Sequence, residues 1–90
     1  DLRRARVSEM TRTQAQLAQL RASLAYYEST GASLASTLRS DAERAYRAGE
    51  IGYIEFTQGI EQAYRIDTEF LRVRFELALT VLHLRALQGL

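Results

Sequence analysis

Apolar residues recur along the first half of the chain at alternating steps of three and four. Met10, Leu17, Leu24, Gly31, Leu38 and Ala45 fall at one heptad position. Thr13, Leu20, Tyr27, Leu34 and Asp41 fall at the other. Such a seam predicts a long helix over residues 1–48 that lies against a partner helix. Arg3 and Arg6 would occupy seam positions, so the pattern starts only at Met10. Gly31 sits in the seam, and a mid-helix glycine costs about 1 kcal/mol against alanine. It reads either as a hinge or close helix approach, or as a tolerated irregularity; the second reading is preferred.

The second half, residues 53–88, carries two adjacent stripes. Phe56, Ile60, Ala63, Ile66, Phe70, Val73, Leu77, Leu84 and Leu87 trace the first. Tyr64, Leu71, Phe75, Ala78 and Leu82 trace the second. A helix apolar on two stripes has more than one neighbour. Glu61, Arg65, Glu69, Arg72 and Glu76 follow one another at steps of three and four, which marks the face that meets water.

Between the halves stands the punctuation Ala48-Gly49-Glu50-Ile51-Gly52-Tyr53. Gly49 suits the left-handed residue that ends a helix. Arg44 and Arg47 complement the helix dipole in the preceding turn. Gly52 is placed as the next N-cap, with Glu55 at the third helical position. Ile51 and Phe56 have the spacing of a hydrophobic staple. The turn over residues 49–52 is therefore tight and the helices antiparallel. The expected fold class is all-α, a long coiled-coil-like helical hairpin forming one unit over residues 1–90. In a monomer the second stripe of the returning helix would stay wet, so association is expected.

Composition sharpens this picture. Ninety residues allow one domain at most, and the absence of proline suits long unbroken helices. The absence of cysteine excludes disulfides, thiolate metal sites and cysteine nucleophiles. All twelve basic residues are arginine, and eleven acids leave a net charge of +1. That balance argues against a nucleic-acid arm or a polybasic membrane face. No apolar run is long enough for a transmembrane helix. The chain begins at Asp1 without a methionine or signal peptide, and reads as a piece of a longer protein.

Little of this is catalytic chemistry. His83, between Leu82 and Leu84, has Glu76 and Thr80 on nearby turns but no second strong donor at metal-ligand spacing. It also lacks a nucleophile and an orienting acid. Glu50 and Glu55 read as cap and surface charges rather than an acid pair. Tyr26, Tyr27, Tyr46, Tyr53 and Tyr64 lack the basic groove of a nucleic-acid platform and are expected to pack. No enzyme activity, catalytic residue, cofactor or bound metal is expected.

The stretch from Ala45 to Phe56, with Tyr46, Gly49, Glu50, Ile51 and Gly52, resembles the periplasmic hairpin tip of TolC-like outer-membrane efflux proteins. Tyr26-Tyr27-Glu28 is similar to the double-tyrosine segment of the heavy-metal branch. Phe70-Leu71, Leu77-Ala78 and Leu84 resemble the family's returning helix, and Gly89 stands where that repeat closes. The resemblance spans most of the chain, from Tyr26 onward. It implies a hairpin of a trimeric tunnel that crosses the periplasm of a Gram-negative cell envelope. Its partners would be a periplasmic adaptor and an inner-membrane pump; the sequence looks like the subgroup in which such a domain is fused behind a heavy-metal-exporting pump of the resistance-nodulation-division type. By the resemblance, Gly49, Glu50, Ile51 and Gly52 contact the adaptor. Glu55 matches an acid that narrows the tunnel entrance in some members. Gln58 matches another but is uncharged, so the resemblance does not extend to a full acidic ring. Gly59 keeps the family's small residue, while Ile60 departs from its glutamine. The β-strands of the outer-membrane barrel and the second hairpin repeat lie outside this sequence. Two alternatives stand beside this reading: the helical hairpin of a periplasmic adaptor, and a structural coiled-coil module without a transport role.

Overall fold

The computed structural model describes residues 1–89, and all of its regular elements are helical. The first is α1 (Leu2–Tyr26), which opens on an aspartate cap: the Arg4 amide donates to Asp1 Oδ1 at 2.8 Å. A five-residue π-helical turn, Tyr27–Gly31, follows without a break in the helical path. The helix then continues as α2 (Ala32–Arg47). After the tip comes α3 (Tyr53–Gly89), an uninterrupted helix of 37 residues. Packing divides the chain into two units, and within each the outgoing and returning segments run antiparallel, as in a helical hairpin.

One unit pairs Asp1–Ala25 with α3 from Arg72 onward. Its seam is built mainly of large aliphatic side chains. Leu17 and Leu20 of α1 are buried, as are Val73 and Leu87 of α3, and Met10, Leu24, Leu77 and Leu84 are half-buried. These are the seam positions the periodicity predicts. Thr13 and Thr80 are also buried. Thr13 donates its hydroxyl to the Glu9 carbonyl at 2.8 Å, so its burial leaves no orphaned donor. Thr80 fills the place between Leu77 and Leu84 that the apolar stripe skips.

The other unit is Tyr26–Leu71. Its seam is built of small residues: Gly31, Ala35, Ala42 and Ala45 are buried on the outgoing arm, and Ala63 on the returning one. Phe56, Ile60, Ile66 and Phe70 flank Ala63 and are half-buried, as the first stripe predicts. The expected seam fails at two positions. Leu34 is 48% exposed and Asp41 is exposed, while Ala35 and Ala42 stand in their places. The cause is the π-turn. Its i to i+5 hydrogen bonding takes up one residue more than an α-turn and shifts the phase of the heptad after Gly31.

Gly31 is more than a tolerated irregularity. A Cβ there would lie 2.8 Å from Tyr27 Cδ2, and the next contact across the seam is Ile66 Cγ2 at 3.6 Å. The glycine makes room for the ring of Tyr27.

Candidate interaction site at the hairpin tip

The tip begins where α2 stops. Ala48 is still α-helical, and Gly49 follows at φ +73°, the left-handed region. The Gly49 amide donates to the Tyr46 carbonyl at 3.1 Å and the Glu50 amide to the Ala45 carbonyl at 2.9 Å. This pair of bonds is a Schellman closure, and it satisfies two carbonyls the helix end would otherwise strand. The Gly52 carbonyl accepts the Phe56 amide at 3.0 Å, which makes Gly52 the cap of α3 as its position predicts.

Side chains brace this turn from both arms. Tyr46 of α2 stacks on Phe56 of α3, with centroids 4.7 Å apart and planes 20° from parallel. Tyr53 meets Tyr46 edge-on at 6.4 Å. Arg44 Nη1 donates to Glu50 Oε2 at 3.4 Å across the turn. Ile51 is half-buried, whereas Gly49, Glu50 and Gly52 are exposed. The turn thus presents a fixed backbone loop to solvent. Tyr53 and Ile54 stand beside it, 68% and 72% exposed.

Glu55 and Gln58 lie three residues apart in the first turns of α3, so both project from one exposed side of that helix. Gly59, the next residue, is held against Ala42.

Farther along the same unit is a polar cluster that the sequence pattern did not reveal. The Tyr27 hydroxyl donates to Asp67 Oδ1 at 2.7 Å, and Arg39 Nη2 donates to Asp67 Oδ2 at 2.8 Å. The Tyr27 ring also stacks on Phe70, centroids 3.9 Å apart and planes within 5°. The Tyr27 hydrogen bond, joined by the Arg39 guanidinium, holds the Asp67 carboxyl below the usual carboxylate range against the opposing effect of burial. The same hydrogen bond, with burial and the negative charge of Asp67, pushes the Tyr27 phenol above its ordinary value. The available signal was Tyr27 itself, an aromatic with a polar end on a seam position.

The second stripe of α3 faces outward, as predicted. Tyr64, Leu71, Phe75 and Leu82 are 60–68% exposed, and Leu79 adds a fifth large apolar side chain at 51%. In the unit containing Phe75 and Leu82, a shallow groove is lined by Leu24, Arg74, Leu77, Ala78, Val81 and Leu82, the last of which belongs to this stripe. The charged ladder also lies outward, with ion pairs between Arg65 and Glu61 at 3.8 Å and between Arg72 and Glu76. The tyrosines divide: Tyr27 and Tyr46 pack, whereas Tyr26, Tyr53 and Tyr64 are about two-thirds exposed.

His83 has a partner on the opposite arm of its own unit. Its Nε2 lies 3.0 Å from Glu9 Oε1, and both side chains are about half exposed. Among the described residues no three His, Asp or Glu side chains come together as metal ligands, and no helix is long and apolar enough to cross a membrane. Comparison with protein-family models, curated proteins and solved structures finds no match to this chain.

Proposed function

We propose that this chain is a periplasmic hairpin of a TolC-like outer-membrane efflux channel, one wall element of an export tunnel for heavy-metal cations. Its tip docks on a periplasmic adaptor, with an inner-membrane pump beneath. The observation that carries this reading is the tip. The residues of the resemblance, Gly49, Glu50, Ile51 and Gly52, form one loop fixed by the Schellman closure and the Tyr46–Phe56 stack. A loop that keeps its shape before binding loses little entropy on docking. Three of its four residues are already exposed for that contact.

The outward stripe of α3 fits the same role. A wall helix touches neighbours on two sides, so it carries one apolar face for its own hairpin and another for the next. Glu55 and Gln58 then stand near the tunnel entrance, and the cations are cargo rather than bound cofactors.

The experiment is crosslinking in the intact protein, within its native envelope. A photoreactive residue at position 50 is expected to capture the periplasmic adaptor. Gly49→Glu is expected to abolish both that crosslink and efflux, because it places a charged side chain at a left-handed position. Normal crosslinking and normal efflux in Gly49→Glu would refute the proposal.

A further inference from the structure

The π-turn lies where the periodicity of the sequence and the packing of the structure part. Up to Gly31 the seam runs Met10, Thr13, Leu17, Leu20, Leu24, Tyr27, Gly31, as an unbroken heptad requires. Continued without interruption, that heptad would bring Leu34, Leu38, Asp41 and Ala45 to the seam. The structure instead brings Ala35, Leu38, Ala42 and Ala45. Leu38 and Ala45 belong to both sets. The two sets therefore differ by a roll of α2 of roughly 50°, half of the 100° step between helical neighbours.

One group of contacts selects the observed set. Tyr27, the first residue of the turn, is tied to α3 twice, by its hydroxyl on Asp67 and by its ring on Phe70. Arg39 ties α2 to the same carboxylate at 2.8 Å, so Asp67 is held from both sides of the turn. Gly31 ends the turn and leaves the ring its space.

The competing set has its own support in the sequence. It would bury Leu34, a large aliphatic side chain left 48% exposed, and would replace π-helical hydrogen bonds with ordinary α-helical ones. Against it stands Asp41, which would be drawn toward an apolar seam.

We propose that Tyr27–Gly31 is a two-state register switch for α2. With Tyr27 docked on Asp67 and Phe70, the turn is π-helical and Ala35 and Ala42 face α3. When that docking is released, the turn closes to α-helix and α2 rolls until Leu34 and Asp41 face α3. The switch is independent of the transport reading, since it rests on contacts within Tyr26–Leu71 alone. Its output is the set of α2 side chains offered to solvent.

The chain has no cysteine, so single thiols report the register directly. Leu34→Cys and Asp41→Cys place a thiol at exposed positions, where the native contacts of the seam are kept. Alkylation of each is measured with Tyr27 present and again after Tyr27→Leu, which removes both the hydroxyl on Asp67 and the ring on Phe70. Asp67→Asn serves as a second release, which keeps the size of the side chain and removes its charge. The expected result is that both thiols react several-fold more slowly in the released backgrounds, with helical circular dichroism retained. Unchanged rates in both backgrounds would overturn the switch. Faster rates would overturn it too, because they would report local unfolding rather than a roll.

Discussion

Gly59 faces Ala42 so closely that a Cβ at position 59 would lie 2.9 Å from the alanine methyl. Neither carbon has a rotamer with which to retreat, since each Cβ is fixed to its backbone. The α2–α3 contact in this unit is therefore set by the smallest side chains, and helices approach more closely over such residues. Gly59→Ala is expected to destabilise the hairpin by about 1–3 kcal/mol, despite the gain in helix propensity from removing a glycine. Thermal unfolding of the variant checks this, and an increase in Tm would contradict it.

Gly31→Ala probes a different kind of contact. The added methyl meets the Tyr27 ring rather than backbone, so the ring must shift against Phe70 and Asp67. The expected net loss is smaller, about 1 kcal/mol, because part of the clash is offset by alanine's helix propensity. A near-ultraviolet circular dichroism change at tyrosine should accompany it. Loss of stability with an unaltered tyrosine signal would contradict the assignment of the ring.

The tip aromatics should contribute unequally. Phe56→Ala removes the stacked partner of Tyr46 from a half-buried site and is expected to cost about 1.5–3 kcal/mol. Tyr53→Ala, at a position 68% exposed, is expected to cost less than about 0.5 kcal/mol. Ile51→Asp is also expected to loosen the tip, since Ile51 is the half-buried residue of the turn. Denaturant midpoints of the three variants give the order, and equal losses at Phe56 and Tyr53 would contradict it.

The Asp67 cluster sets a direction for pH dependence. Asp67 has its carboxyl held below the ordinary range, so its contribution is present above about pH 4 and is lost as pH falls through the lowered value. Tyr27 has its phenol raised, so its contribution is present below about pH 10 and is lost as pH rises through the raised value. Both groups are partly exposed, and solvent screening keeps the acid contribution modest. Tyr27→Phe should flatten the acid limb of a stability–pH curve and remove this residue's share of the alkaline limb. An acid limb as steep as in the unmodified chain would contradict the assignment.

Much of the architecture was legible from periodicity. Leu17 and Leu20 on one arm and Val73 and Leu87 on the other are large, regularly spaced and buried, so their pattern reports their packing. Gly49 was legible for a different reason: few residues other than glycine take a positive φ, and a helix had to end there. Ala35 and Ala42 escaped because alanine gives periodicity little weight, and because a π-turn shifts phase without any composition signal. The Tyr27–Asp67–Arg39 cluster escaped because its members sit on opposite arms, and no spacing along one helix joins them. Glu9 and His83 were separated in the same way, 74 positions apart along the chain.

We propose that this hairpin is one element of a wall, with the outward stripe of α3 covered by a neighbour. The most direct test is the mass of the 90-residue chain by light scattering across a range of concentrations, for the native sequence and for Phe75→Glu. The stripe predicts a mass above that of one chain that rises with concentration, and a return to the single-chain mass in Phe75→Glu with helicity intact. A native chain that stays monomeric at the highest concentration would contradict the claim.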